Sequence, residues 1–104
     1  MRILLTVLLA VTGIASADAG QGTRHTITID GAQFTPAELT VHRGDRIVWV
    51  NKDPFPHTVT ADNKAFDSGS IAANASWDYI ATKNGDYAYI CAFHPSMKGN
   101  IKVE

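Results

Sequence analysis

The amino-acid sequence predicts an all-β protein, a sandwich or barrel built from two sheets. Short runs in which apolar and polar residues alternate recur from Thr23 to the end of the chain. Turn-forming residues separate these runs at intervals of roughly ten residues, which is typical of small sandwiches and barrels. About seven short strands are expected on this pattern, and from Thr23 onward the chain favours strands and turns over helices.

The first half of the chain gives the clearest strand signals. His25, Ile27 and Ile29 fall on one side of an alternating run, so we expect this side to face the core. Pro36 interrupts the next run and predicts two pieces of a broken or edge strand, because proline cannot donate a hydrogen bond to a ladder. After a turn, residues 47–50 are predicted to form a buried strand.

The second half begins with a loop at residues 51–56, whose two prolines restrict the backbone that leads into a strand at 57–60. Residues 61–76 are rich in small and polar side chains and give the weakest signal, so loops around a short strand are expected there. Three further strands are predicted at residues 77–80, 87–91 and 99–104.

Residues 1–17 have the form of a signal peptide. Arg2 precedes an apolar run from Ile3 to Val11, and Ala15-Ser16-Ala17 has the small-x-small form of a signal-peptidase site. A transmembrane anchor is the alternative, but the continuous apolar run is shorter than the roughly 20 residues that a spanning helix needs. We therefore expect cleavage after Ala17, a periplasmic location and a single mature domain at residues 18–104.

Cleavage there would leave 87 residues with a formal net charge of −2, because Arg2 is the only charged residue removed. The near-neutral balance and the absence of a run of Lys or Arg argue against nucleic acid as a partner. The absence of a basic amphipathic helix argues against a membrane surface. A monomer is expected, and a core of this size would gain useful stability from a bound metal ion.

The single cysteine, Cys91, cannot close an intramolecular disulfide, so in an exported protein we expect it to be buried, paired between chains or ligated. His94 and Met97 follow it at intervals of three residues, and His57 lies upstream. One thiolate, two imidazoles and a long axial thioether are the ligand set of blue-copper electron-transfer sites. The sequence therefore predicts one copper ion bound by His57, Cys91, His94 and Met97.

Each of these residues, taken alone, would more often fill a core or lie on a surface, and the prediction depends on their combined spacing. His25 and His42 are interpreted as strand or turn residues rather than ligands. A structural zinc site is disfavoured, since a thioether is a poor zinc ligand and Met97 would then be unexplained.

Three segments resemble the cupredoxin family, which includes plastocyanin, pseudoazurin and amicyanin: FTPAELTVHRGDRIVWVN, PHTV and GDYAYICAFHPSMKGNIKVE. Two residues separate Cys91 from His94, and two separate His94 from Met97, which resembles the short ligand loop of amicyanin. The resemblance covers the predicted mature chain. It implies a Greek-key β-sandwich of seven to eight strands with type 1 copper at one end, and a role as an electron carrier rather than an enzyme.

Two positions depart from the family pattern. Thr58 stands where an asparagine often ties the two ligand segments together, although its hydroxyl can also form a hydrogen bond across them. Phe93 stands where amicyanin and plastocyanin carry proline. Unlike proline, Phe93 keeps a backbone N–H that can donate to the thiolate of Cys91, and such a bond should raise the reduction potential.

Exposed apolar residues near His94 are expected to form the docking face for redox partners. Pro54, Phe55 and Pro56 form one segment of this face, and Phe93 and Pro95 flank the histidine. Phe55 has an alternative role as a cap on the core.

The likeness to amicyanin implies an amine dehydrogenase as electron donor and a c-type cytochrome as acceptor. A protein of copper handling or resistance is the alternative function, but such proteins rely on several methionines or paired cysteines, and the mature chain retains only Met97. A copper oxidase or nitrite reductase would need a further copper centre with additional histidines.

Overall fold

Eight strands in two four-stranded sheets make up the structure, a computed structural model that describes residues 22–104. Within this range no residue is helical, and no helix that could cross a membrane is found. The predicted all-β sandwich is therefore confirmed. The leader predicted at residues 1–17 lies outside the described residues.

The strands are β1 Arg24–Asp30, β2 Gln33–Thr35, β3 Glu38–Val41, β4 Arg46–Asn51, β5 Thr60–Ala61, β6 Ser76–Ile80, β7 Gly85–Cys91 and β8 His94–Val103. One sheet has the order β2-β1-β4-β6 and the other β3-β8-β7-β5. Two of the pairings are parallel, β1 with β4 and β3 with β8, and the remaining neighbours are antiparallel.

The side of β1 that was predicted to face the core does so, since Ile27 and Ile29 are fully buried and His25 is half-buried. β4 lies between two neighbours in its sheet and buries three consecutive residues, Ile47, Val48 and Trp49. A continuous apolar run is what a strand in this central position requires.

Pro36 breaks the chain at the point where it changes sheets. β2 ends at Thr35 and pairs with β1, whereas β3 begins at Glu38 and pairs with β8 in the other sheet. The predicted division into two pieces is thus confirmed, and each piece is an edge strand.

The core contains a cluster of aromatic side chains that includes Tyr89. The Tyr89 ring lies edge-on to Phe34 at a centroid distance of 4.7 Å and edge-on to Trp49 at 5.6 Å. Gly99 is directly opposite Tyr89 in the β7–β8 ladder, and a Cβ atom at Gly99 would overlap the tyrosine ring. The glycine therefore leaves the space that this large side chain fills.

Two strand boundaries near the predicted ligands differ from the prediction. β8 begins at His94 rather than at residue 99, because Cys91 pairs with His94 while Ile90 pairs with Lys98. Residues 95–97 therefore bulge out of the ladder, and the turn that precedes them is only two residues long. The sequence predicted that Cys91, His94 and Met97 lie on one tight loop between two strands, but the β7–β8 pairing extends β8 through that segment.

His57 was predicted within a strand at 57–60, and this boundary was also wrong. The residue forms an isolated bridge with Ile71, in which each backbone N–H donates to the other's carbonyl, at 3.2 and 2.7 Å. β5 covers only Thr60–Ala61. His57 is nevertheless held by backbone pairing, which fixes the direction of its side chain.

Candidate metal centre

The buried side chain of Asn51 organises the loop that leads to His57. Its amide nitrogen donates to the carbonyl oxygens of Phe55 and Ile71, at 2.9 and 3.0 Å. Its carbonyl oxygen accepts the N–H of Asp53 at 2.9 Å. Because the two prolines of this loop have no N–H to donate, side-chain hydrogen bonds provide much of its support.

A buried carboxylate, that of Asp53, fixes the imidazole of His57. Asp53 accepts the backbone N–H groups of Gly31 and Ala32, at 2.7 and 2.8 Å, and its other contact is His57 Nε2 at 2.7 Å. Burial alone would raise the pKa of Asp53, but these two N–H groups and His57 hold it below its usual value. An ionised carboxylate only accepts hydrogen bonds, so Nε2 carries a proton, and in the neutral ring Nδ1 then keeps its lone pair.

Cys91 is fully buried at the end of β7, and its Sγ atom lies 3.6 Å from His57 Nδ1. The backbone N–H of Thr58 donates to this sulfur at 3.3 Å. Burial raises the pKa of Cys91, but the Thr58 N–H, His57 and the N–H groups of Phe93 and His94 together lower it below its usual value. The surroundings thus favour the thiolate, which is the form that binds metal ions.

The separation between Sγ and Nδ1 suits a shared metal ion. Bonds of about 2.3 Å to sulfur and about 2.0 Å to nitrogen, meeting at a near-tetrahedral angle, hold the two donor atoms about 3.5 Å apart. The observed distance between Cys91 Sγ and His57 Nδ1 is 3.6 Å. Both atoms can donate an electron pair to a metal ion. The bond to Asp53 keeps the lone pair of His57 Nδ1 on the side of the sulfur.

The other two predicted ligands lie in the first part of β8. His94 is exposed, and its ring centroid is 5.5 Å from that of His57. Met97 is the buried member of the bulge and belongs to the same core cluster as Cys91. The first part of β8 therefore presents one ligand candidate outward and one inward.

Within residues 22–104, no three side chains of the His, Cys, Asp and Glu types converge as a preformed metal site. The structure brings Cys91 and His57 into contact, places His94 beside His57 and buries Met97 near the cysteine's strand. The complete four-residue ligand set stays a prediction.

Thr58 forms the bond that the sequence suggested across the two ligand segments. Its Oγ1 atom accepts the N–H of Ala92 at 2.7 Å, while its own N–H donates to Cys91. The threonine therefore ties the His57 segment to the turn that follows Cys91, although it replaces the asparagine of many cupredoxins.

Sequence reasoning did not identify Asn51 and Asp53 as supports of the site. A carboxylate four residues before a predicted metal-binding histidine was the signal available, since such histidines usually donate their second N–H to a carboxylate or carbonyl.

His25 and His42 both belong to another network, at the opposite end of β4. The carboxylate of Asp45 lies 2.9 Å from His25 Nε2 and accepts the backbone N–H of His42 at 3.0 Å. This arrangement agrees with their interpretation as structural residues.

The chain is similar in sequence to known proteins. Residues 2–103 match the family model described as a cupredoxin-like domain. The amicyanin of Paracoccus versutus is 30% identical over 88 residues, which cover 75% of this chain and 63% of that protein. The plastocyanin of Scenedesmus fuscus is 32% identical over 84 residues, covering 68% of this chain and 86% of that protein. The chain spans half the length of the minor plastocyanin isoform of Arabidopsis thaliana, to which it is 34% identical.

Several solved structures of copper proteins superpose on this chain. The reduced state of an amicyanin variant with phenylalanine in place of proline superposes with a TM-score of 0.72 at 28% identity, covering 78% of this chain and 82% of that one. A purple cupredoxin from Nitrosopumilus maritimus superposes with a TM-score of 0.70 at 26% identity, covering 77% of this chain and 99% of that one. A copper-containing nitrite reductase from Thermus scotoductus gives 0.73 at 28% identity, but only 22% of that enzyme is covered. This chain is thus a member of the cupredoxin-like family.

Proposed function

We propose that the protein is an exported, soluble electron carrier that binds one type 1 copper ion and passes single electrons between redox partners. The observation that carries this proposal is the contact between Cys91 Sγ and His57 Nδ1 at 3.6 Å, with the Thr58 N–H donating to the sulfur. A buried thiolate beside an oriented imidazole is the centre of a blue-copper ligand set. His94 and Met97 complete that set.

Bound copper would supply a couple that changes by one electron. The protein's part is to hold the donors in place while the charge at the site changes. Asp53 holds the His57 ring, and Thr58 joins the two ligand segments. Because His57, Cys91 and His94 are attached to paired backbone, we expect little rearrangement on electron transfer.

The related proteins support a copper site. An amicyanin variant that has alanine in place of a methionine is a solved structure in the Cu(I) state, and it superposes on this chain with a TM-score of 0.73. The nitrite reductase, in contrast, resembles this chain over only 22% of its length. We propose a carrier rather than an enzyme, because an enzyme of that class needs a further copper centre, and His25 is already bonded to Asp45.

Electrons are proposed to enter and leave through the exposed edge of His94. Phe55 and Phe93, which are 45% and 52% exposed, are two of the three exposed large hydrophobic residues in the described part of the chain. The Phe55 ring lies 6.3 Å from that of His94, and Phe93 precedes the histidine. We define Phe55, Phe93 and His94 as the docking patch. Apolar contact around a ligand edge suits brief encounters with another redox protein.

The proposed partners are those that the likeness to amicyanin suggests, an amine dehydrogenase as donor and a c-type cytochrome as acceptor. The proposed location is the periplasm, and the proposed state is a monomer. Intact mass of the exported protein would test cleavage after Ala17, and light scattering would test the monomer.

The proposed function is tested by adding Cu(II) to the purified exported protein and recording its visible absorption spectrum. We expect an intense thiolate-to-copper band that ascorbate bleaches, that is lost in Cys91→Ser and that persists in the control His42→Ala. A colourless protein that binds Cu(I) would favour copper handling instead. A protein that binds neither ion would overturn the proposal of a copper site.

A further inference from the structure

A chain of hydrogen bonds leads from the turn after Cys91 to a carboxylate on the protein surface. The Ala92 N–H donates to Thr58 Oγ1 at 2.7 Å, and Thr58 Oγ1 lies 2.9 Å from Thr60 Oγ1. Thr60 Oγ1 donates in turn to Asp67 Oδ1 at 3.2 Å. We call this series from Ala92 to Asp67 the hydroxyl chain.

The hydroxyl chain has a single direction when Asp67 is ionised. A carboxylate only accepts, so the hydroxyl proton of Thr60 points to Asp67. The oxygen of Thr60 then accepts the proton of Thr58. The oxygen of Thr58 is left to accept the Ala92 N–H, which is the bond that joins the two ligand segments. Each hydroxyl thus donates once and accepts once.

Asp67 is a fixed end for this chain although its side chain is exposed. The same Oδ1 atom accepts the N–H of Gly69 at 3.0 Å, and Asp67 forms an isolated bridge with Thr60. Next to them, the N–H of Val59 donates to Ser68 Oγ at 2.8 Å, and the N–H of Ser68 donates to the Val59 carbonyl at 2.9 Å. Backbone pairing therefore holds the carboxylate opposite the threonine.

We propose that Thr60 and Asp67 are positioning residues of the metal centre. They orient the Thr58 hydroxyl toward Ala92, and the buried Thr58 in turn keeps its N–H on the sulfur of Cys91. Neither residue is a ligand, and neither belongs to the asparagine tie of many cupredoxins. The effect on copper rests on the proposed function, whereas the effect on Ala92 does not.

Matched variants distinguish an effect of the hydroxyl chain from an effect of charge alone or of overall stability alone. Thr60→Val removes the hydroxyl without changing charge, and Thr60→Ser restores it. Asp67→Ala removes both the acceptor and the charge, whereas Asp67→Asn removes the charge but keeps an acceptor oxygen. The control is Asp62→Ala, which removes another exposed carboxylate close to Thr60 that does not belong to the hydroxyl chain.

The first readout is hydrogen exchange of the Ala92 amide by NMR in the metal-free protein. We expect exchange to quicken at least about tenfold in Thr60→Val and Asp67→Ala, since Ala92 is exposed and depends on Thr58 for protection. Thr60→Ser, Asp67→Asn and Asp62→Ala should stay within about threefold of the unchanged protein. Unchanged exchange in Thr60→Val and Asp67→Ala would overturn the proposal, whether or not the protein binds copper. Because Asp67 is exposed, Asp67→Ala keeps the test valid if Thr60→Val fails to fold.

The second readout is the reduction potential of the copper-loaded protein. A looser Thr58 weakens the N–H bond that stabilises charge on the Cys91 sulfur, so the potential of Thr60→Val should be lower than that of Thr60→Ser. The potential of Asp67→Ala should likewise be lower than that of Asp67→Asn. Faster Ala92 exchange with equal potentials within each pair would overturn the role at the metal centre. An unchanged protein that binds no copper would overturn the proposed function, and the exchange result would still decide the positioning of Ala92.

Discussion

The imidazole of His57 and the carboxylate of Asp53 form a buried pair, with Nε2 and Oδ2 2.7 Å apart. The side chain of His57 is fully buried and that of Asp53 is 5% exposed. Because the carboxylate also accepts two backbone N–H groups, from Gly31 and Ala32, the pair links the loop before the candidate ligand to the β1–β2 turn. This link determines which ring nitrogen faces Cys91.

Asp53→Asn is expected to weaken copper binding. An asparagine side chain has only one acceptor oxygen. It therefore cannot accept hydrogen bonds from Gly31, Ala32 and His57 together, as the two oxygens of the carboxylate do. We expect a loss of about 10- to 100-fold in affinity, the usual range for such outer partners. Competition with a chelator of known affinity would measure it. Asp30→Asn, at the exposed end of β1, is the control, and equal affinities in the two variants would contradict the assigned role.

The stability of the fold should depend on pH through Asp45. The N–H of His42, followed by His25, lowers the pKa of this carboxyl from 3.8 to about 2. A carboxyl with a lower pKa in the folded state stabilises the fold above its unfolded-state pKa, and this contribution is lost as the pH falls from about 4 to about 2. Urea unfolding of the metal-free protein should show a loss of about 1–2 kcal/mol from Asp45 over this range.

Asp45→Asn is the matched variant for this pH dependence. It should be less stable than the unchanged protein at pH 7, and the difference should shrink toward pH 2, because the carboxyl is then protonated in the unfolded chain and increasingly protonated in the folded one. A difference that stays constant from pH 7 to pH 2 would show that the charge of Asp45 contributes nothing.

Gly99→Ala should destabilise the β7–β8 ladder. The new methyl group would overlap the ring and hydroxyl of Tyr89, which is 1% exposed and cannot move away without disturbing the core. Overpacking of this kind costs about 1–3 kcal/mol in free energy of unfolding, which chemical denaturation would measure.

A second variant at Tyr89 tests whether the ring is the cause. The Tyr89 hydroxyl has no hydrogen-bond partner among the described residues, so Tyr89→Phe should recover part of the stability that Gly99→Ala loses. Asn100→Ala, one position along β8, is the control. If Gly99→Ala costs as much stability in a chain that carries Tyr89→Phe as in the unchanged chain, the hydroxyl does not take part in the overlap.

Phe93→Pro should lower the reduction potential of the copper-loaded protein. The backbone N–H of Phe93 is one of the groups that lower the pKa of Cys91, and proline has no N–H to replace it. Stabilising charge on the sulfur weakens its donation to copper and favours Cu(I). Phe93→Ala keeps the N–H and is the control. Voltammetry that gives the proline variant an equal or higher potential than the alanine variant would refute this explanation.

The fold could be predicted from the sequence where the signal is local. The buried side of β1 follows from the alternation of Ile27 and Ile29, and the division between β2 and β3 follows from Pro36. The start of β8 at His94 depends instead on which residues of β7 it pairs with, and the bulge between them has no local signal. Strand boundaries were thus missed where the pairing register, rather than propensity, decides them.

The same distinction applies to the candidate site. The spacing of Cys91, His94 and Met97 could be read directly, because one short segment carries all three. For Asp53 only the contact with His57 is local, and its other two partners could not be predicted because they lie 21 and 22 residues away in the β1–β2 turn. Thr58 was noticed only as a departure from a family pattern, and its connection to Asp67 exists only in the folded chain.

Charge introduced into the docking patch should slow electron exchange between copies of the copper-loaded protein. Phe55 is 45% exposed and its ring is 6.3 Å from that of His94, so two copies that meet at their patches would bring Phe55→Lys charges close together. Repulsion between them should lower the self-exchange rate by roughly tenfold at low salt and by less at high salt. NMR line broadening in mixtures of the reduced and oxidised protein measures this rate. Ile80→Lys adds the same charge at a site that is 37% exposed on β6, and it is the control. If both variants slow exchange equally, the position of the added charge does not matter and electrons do not leave through the patch.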